Sequence, residues 1–156
     1  MYIKHQLNKL LVSLDIDGQN ALFIAISKQG DIARKGNGAA PNQLPLLQGV
    51  SHQGHFDAFM MTISEDVFAY SGVFDQKPYT GRICTLMIVF NGEDEAEAGF
   101  KCIYGDQSDG PPGELVQMVI NAVKLTQPWY DQQISAAKVT PIPAVEKEKK
   151  PWWQMW

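Results

Sequence analysis

Residues 21–27, Ala21-Leu22-Phe23-Ile24-Ala25-Ile26-Ser27, alternate along the chain and are rich in strand-forming residue types. The turn Gln29-Gly30-Asp31 follows, and Ile32-Ala33-Arg34-Lys35 is the return segment. Alternating apolar segments joined by a short glycine-containing turn are typical of a β-hairpin. The sequence therefore predicts an antiparallel pair of strands over residues 21–35.

A second hairpin is predicted further along the chain. Residues 82–90 form a strongly apolar strand, residues 91–97 an acidic turn, and residues 99–104 the returning strand. The loop predicted over residues 72–81 separates this hairpin from what precedes it. Two hairpins can join into one sheet, so we expect an antiparallel sheet of about four strands.

Helical spacing of apolar residues predicts the remaining elements. Residues 56–68 have this spacing, and one helix or two short ones are expected there. Residues 114–125 have it as well, and Pro128, just beyond them, is expected to kink or end the helix. The opening segment also has helical spacing up to Leu14, ending near Gly18, although a strand fits the same residues. The predicted fold class is α+β, with two to three helices packed on the sheet and an extended C-terminal tail.

Composition predicts one globular domain. The chain has 156 residues, of which 45% are apolar and 19% charged, and it holds no apolar run long enough for a membrane span. We expect a single domain over residues 1–135 and a tail over residues 136–156. The N-terminus lacks a secretory signal pattern, so a cytoplasmic location is expected.

Charge is distributed unevenly along the chain. Residues 1–137 carry 9 basic and 15 acidic side chains, whereas residues 138–156 carry 4 basic and 2 acidic ones. An acidic body repels phosphate backbones, so no nucleic-acid partner is expected.

The strand over residues 83–90 has apolar side chains on both faces. One face carries Cys84, Leu86, Ile88 and Phe90. The other carries Ile83, Met87 and Val89, which are the candidate interface residues. A strand that is apolar on both faces is central in its sheet, or its second face contacts a partner or a second copy of the chain.

The segment from His52 to Asp57 is the only cluster with metal-ligand residue types. His52, His55 and Asp57 could hold zinc or iron, but the spacing matches no known signature and a remote ligand would still be needed. Histidines in a polar loop are usually solvated. We expect no bound metal and no cofactor.

No catalytic set is recognisable elsewhere. The chain lacks a Gly-x-Ser-x-Gly elbow, and Cys84 and Cys102 lie in apolar strands, which predicts buried structural thiols. The segment 15–20 resembles a calcium loop only faintly, because its glycine comes too early and the closing glutamate is missing. We predict no catalytic residues.

The tail has the most unusual composition. A proline-spaced, lysine-rich segment precedes Trp152, Trp153, Met155 and Trp156, the candidate partner-binding residues. Three alternatives fit this cluster: it packs on its own domain, it docks into a groove of a partner, or it contacts a membrane surface.

These observations favour a non-enzymatic protein-binding module, such as an inhibitor, an immunity-type protein or an assembly adaptor. One alternative is a metal-dependent enzyme built on His52, His55 and Asp57. Another is a structural component that self-assembles, as a homodimer for example, through the face of Ile83, Met87 and Val89.

Overall fold

Seven strands and two helices make up the described part of the chain. The structure is a computed structural model, and it describes residues 7–38, 45–52, 54–63, 67, 70, 72–75, 81–92, 97–105 and 110–136. The strands are β1 (Leu7–Ile16), β2 (Gln19–Ser27), β3 (Asp31–Gly36), β4 (Leu47–Val50), β5 (Gly72–Asp75), β6 (Cys84–Gly92) and β7 (Glu97–Tyr104). The helices are α1 (His55–Thr62) and α2 (Gly113–Ala136).

All seven strands belong to one mixed sheet. Their order is β4-β3-β2-β1-β6-β7-β5. Neighbours pair antiparallel, except that β5 runs parallel to β7. The predicted fold class, an antiparallel sheet of about four strands with two to three helices, is therefore wrong.

Two of the additional strands lie at the edges of the sheet. β4 and β5 have four residues each, and nearly all of their residues are exposed. Such short segments cannot display a clear period of alternation, so β4 was not recognised and β5 falls in a predicted loop. Short edge strands also limit unwanted pairing with other chains.

The opening segment is strand β1, so of the two alternatives the strand is correct and the helix is wrong. Leu10, Val12 and Leu14 are buried while Leu11 and Ser13 between them are partly exposed. This two-residue period is that of a strand, and pairing with β2 on one side and β6 on the other fixes it. The helical spacing of the leucines was coincidental.

Both predicted hairpins are confirmed. β2 pairs antiparallel with β3, and β6 pairs antiparallel with β7. Gly30 in the first turn has φ 104°, and a Cβ atom there would lie 2.7 Å from the carbonyl oxygen of Ser51. Glycine is therefore required both for the backbone angle and for the close approach of the chain after β4.

The helices cover one face of the sheet, which we call the covered face. α1 contacts β1 and β2, and α2 hydrogen-bonds to Arg34 on β3. Buried sheet residues on this side form the core with both helices: Leu10, Val12, Leu14, Ile16, Leu22, Ile24, Ile26, Leu86, Ile88, Phe90, Phe100 and Cys102. Removal of these side chains from water provides the main driving force for folding.

Helix α2 continues through Pro128, beyond its predicted end near Leu125. Proline lacks an N–H group, so the carbonyl of Lys124 loses its helical donor at this point. Trp129 and Tyr130 follow and are both buried, as expected for residues that cover the edge of the core. Burial on both sides of the proline explains why the helix does not stop.

Several predicted features lie outside the described residues. These are the tail tryptophans Trp152, Trp153 and Trp156 with Met155, and most of the acidic turn between β6 and β7. Among the residues that are described, no helix is long and apolar enough to cross a membrane.

Candidate functional site: the open face of the sheet

The second face of the sheet is not covered by either described helix. We call it the open face, and the strand pairings place the following residues on it: Lys9, Leu11, Ser13, Asp15, Phe23, Ala25, Ala33, Lys35, Thr85, Met87, Val89, Gly99, Lys101 and Ile103. Most of its side chains are partly exposed. A sheet face that no helix covers is either exposed to solvent or in contact with a partner.

An upper row of side chains crosses the centre of the open face. Leu11 on β1 lies between Ala25 on β2 and Val89 on β6. Ala33 and Gly99 extend the row on either side. All five are apolar, and the three in the middle are only partly buried.

A lower row lies two residues further along β1. Ser13 lies between Phe23 and Met87. Lys35 extends the row beyond Phe23, and Lys101 extends it beyond Met87. The lower row therefore has a large apolar side chain on each side of a small central residue, followed on each side by a lysine, and Val73 on β5 lies beyond Lys101.

The predicted interface residues Ile83, Met87 and Val89 share the open side of the sheet. Met87 is 37% exposed and Ile83 42% exposed, so neither is covered within the described part of the chain. Asp17 in the turn after β1 fixes the start of β6. Its side-chain carboxylate accepts the N–H of Ile83 at 2.9 Å, and its own N–H donates to the Ile83 carbonyl at 2.8 Å.

The two ends of β1 carry opposite charge on the open face. Lys9 lies at one end of β1 and is exposed. Asp15 lies at the other end, where its carboxylate accepts a hydrogen bond from the Asn20 side chain at 2.9 Å. Because the two charges lie at opposite ends of one strand, the charge distribution of the face distinguishes the two orientations of a bound surface.

The candidate metal ligands are not brought together as a metal site. His52 and Asp57 are exposed, whereas His55 is buried at the first position of α1. They line a polar pocket of about 220 Å³ together with residues of the β2–β3 turn. Within the described ranges, no group of three His, Cys, Asp or Glu side chains is arranged to hold a metal ion.

His55 has an unusual environment for a histidine. Its side chain is 8% exposed, and its Nδ1 atom is buried without a hydrogen-bond partner among the described groups. Burial lowers the pKa of His55 from its usual value of 6.5, because the charged ring is costly to desolvate. Burial therefore favours the neutral ring in the folded protein.

The cysteines are confirmed as buried thiols. Cys84 and Cys102 lie on the covered face, and neither forms a disulfide. Burial, with a smaller contribution from Asp75, raises the pKa of Cys102 to about 11. A thiol of this kind is a poor nucleophile at neutral pH.

A buried polar cluster surrounds Arg34, which sequence analysis did not single out. The guanidinium donates to the Gly36 carbonyl at 2.9 Å, the Val123 carbonyl at 3.2 Å and the Thr126 hydroxyl at 3.0 Å. It also donates to the Gln127 side chain at 2.8 Å. Burial lowers the pKa of Arg34 to about 10, with partial compensation from Tyr130 and Asp131.

Arg34 joins β3 to the part of α2 around Pro128, so its role is structural. It is completely buried, and its donors are used by protein acceptors. Nothing in the alternation of β3 distinguishes it from a solvent-facing arginine, and only the fold reveals its partners.

Comparison of the chain with known protein families and with curated proteins found no match.

Proposed function

We propose that this chain is a non-enzymatic protein-binding module whose binding surface is the open face. The observation that carries the proposal is the apolar character of two adjacent rows across β2, β1 and β6, left partly exposed on a sheet whose other face is covered. Monomeric proteins rarely leave a contiguous apolar patch of this kind in water.

The charges around the open face specify the chemistry of its partner. Lys35 and Lys101 flank the lower apolar row, and Lys9 and Asp15 lie at opposite ends of β1. The partner surface should be apolar at its centre, acidic towards Lys9 and basic towards Asp15. Apolar burial then supplies most of the affinity, while the charges select the orientation and accelerate association.

The tail is proposed as a second point of attachment. Trp152, Trp153, Met155 and Trp156 are large apolar side chains at the end of a charged, proline-spaced segment. The support is compositional: tryptophan is among the residues most enriched at the centres of protein interfaces. The basic tether carries the same sign of charge as Lys35 and Lys101, which disfavours docking of the tail on its own open face.

Affinity capture with matched methionine variants tests the proposal. Met87 is on the open face and Met61 is on α1, 86% exposed, so Met87→Glu and Met61→Glu introduce the same charge on different surfaces. We expect wild type and Met61→Glu to retain the same partner from an extract of the source cell, and Met87→Glu to lose it. A chain ending at Ala137 should retain that partner more weakly.

Two results would count against the proposal. If Met87→Glu captures its partners as well as Met61→Glu does, the open face is not the binding surface. If tail tryptophan fluorescence is blue-shifted in the isolated protein and truncation lowers thermal stability, the tail packs on its own domain instead of on a partner.

A further inference from the structure

We infer that the partner of the open face is a second copy of this chain, packed face to face about a two-fold axis that crosses the strands. The inference rests on the proposed function, because it names the occupant of the same surface. It follows from the register of the sheet and the arrangement of charges on it.

The two-fold axis determines which residues meet. An axis that lies between the two sheets and crosses the strands reverses strand direction in the second copy. If it passes between the upper and lower rows, each upper-row residue lies opposite the lower-row residue of the same strand. Aligned sheets cross at about −30°, so this opposition is closest near the axis.

Side-chain sizes are complementary in this arrangement. On β2, Ala25 of one copy lies opposite Phe23 of the other, and on β1, Leu11 lies opposite Ser13. On β7, Gly99 lies opposite Lys101. On β6, Met87 lies opposite Val89, and both of these side chains are large. The matches of a large with a small side chain on β1, β2 and β7 favour interdigitation of the two sheets at a spacing of about 10 Å.

Charges are complementary in the same arrangement. Lys9 lies one step beyond the upper row on β1, and Asp15 lies one step beyond the lower row. Lys9 of each copy therefore faces Asp15 of the other, which forms two symmetry-related ion pairs. A two-fold axis parallel to the strands would instead place like charges together.

The available area is sufficient for a dimer. The open-face residues named above come from five strands, which are adjacent in the sheet in the order β3, β2, β1, β6, β7. With strands about 4.8 Å apart and successive rows about 6.8 Å apart, the face covers roughly 600 Å² on each copy. Two copies together bury roughly 1,200 Å², which reaches the lower range of specific interfaces.

Charge reversal on the purified full-length chain tests the inference. Sedimentation velocity over a series of protein concentrations should show a dimer for wild type. Lys9→Asp and Asp15→Lys each place like charges opposite one another twice, and each should weaken the dimer by about tenfold or more. Lys124→Asp is the matched control, because Lys124 is exposed on α2, away from the open face. This variant should leave the dimer unchanged.

Rescue provides the decisive arm of the experiment. An equimolar mixture of the Lys9→Asp and Asp15→Lys chains should form a heterodimer, because both cross-contacts again join opposite charges. The double variant should dimerise with itself for the same reason. Circular dichroism on each variant identifies any that fails to fold, and the double variant keeps the test valid in that case.

Three outcomes overturn the inference. They are a wild-type chain that is monomeric at all concentrations, a dimer that is insensitive to both reversals, and reversals that weaken it without rescue in the mixture. If the chain is monomeric and Met87→Glu still loses a captured partner, the second copy is rejected and the protein-binding function stands. If it is dimeric but captures no other protein, self-association is the whole function.

Discussion

The guanidinium carbon of Arg34 lies 4.9 Å from the centre of the Tyr130 ring, in a cation–π contact between β3 and α2. The same arginine donates to the Thr126 hydroxyl one turn earlier in the helix and to the Val123 carbonyl two turns earlier. This contact fixes α2 where Pro128 interrupts its hydrogen bonding. It joins the long helix to β3 on the covered face.

Replacing Arg34 by Met should destabilise the protein strongly. The substitution removes four hydrogen bonds and leaves buried acceptors such as the Gly36 carbonyl without a donor, so we expect the free energy of unfolding to fall by about 3 kcal/mol. Urea unfolding followed by circular dichroism measures the change. Lys28→Met, at an exposed turn position, should change it by less than about 0.5 kcal/mol. Equal effects of the two variants would show that the cluster contributes little.

Removing the Tyr130 hydroxyl should have a smaller but measurable effect. This hydroxyl donates to the Pro45 carbonyl at 2.5 Å and accepts the Gly36 N–H at 3.1 Å. Tyr130→Phe keeps the ring beside Arg34 and should cost about 1–2 kcal/mol, because two backbone groups lose their partner. Denaturant midpoints at constant slope provide the measurement, and an unchanged midpoint would contradict this view.

The sequence predicted those elements whose side chains alternate over many residues. The hairpin over residues 21–35 is predicted correctly because strand-forming residues flank a short glycine-containing turn, and burial in β2 alternates from Leu22 to Ile26. For β1 the sequence left helix and strand open, because four leucines also fit a helical period, and the deciding factor, pairing with β2 and β6, is not encoded locally.

The candidate site was predicted in part. Met87 and Val89 could be assigned to a second apolar face because β6 is apolar at nearly every position. Their neighbours Leu11 and Phe23 could not be assigned to the same surface, because they come from strands whose order and register depend on the whole sheet. Arg34 was missed for the same reason, since its partners lie about ninety residues further along the chain.

His55 should make stability dependent on pH. Burial places the pKa of the folded state below the usual value of 6.5, so below that value the unfolded chain binds more protons than the folded one. The contribution of His55 to the free energy of unfolding is therefore fully present above about pH 6.5. It is lost as the pH falls through the lower pKa that His55 has in the folded protein. Urea unfolding of wild type and His55→Asn between about pH 7.5 and pH 5 measures this. The variant should show the weaker pH dependence, whereas His52→Asn, at an exposed position, should follow wild type.

The two thiols should react slowly in the folded protein. Cys84 is 3% exposed and Cys102 is completely buried, so a thiol reagent gains access only when the sheet opens. Labelling with a chromogenic disulfide should be slow in buffer and rapid in denaturing urea, with both thiols reacting there. Rapid reaction of either cysteine in buffer would indicate an accessible, reactive thiol and would reopen a redox role.

Oxidation of Met87 tests most directly whether the open face is covered by protein. Met87 is 37% exposed and Met61 86% exposed, so both side chains react in an uncovered chain, and Met61 serves as an internal reference. Mild peroxide treatment and mass spectrometry give both rates for the dilute purified chain and for the assembled form. The account predicts that assembly slows oxidation of Met87 severalfold and leaves Met61 unchanged. Equal rates for Met87 in the two states would contradict it.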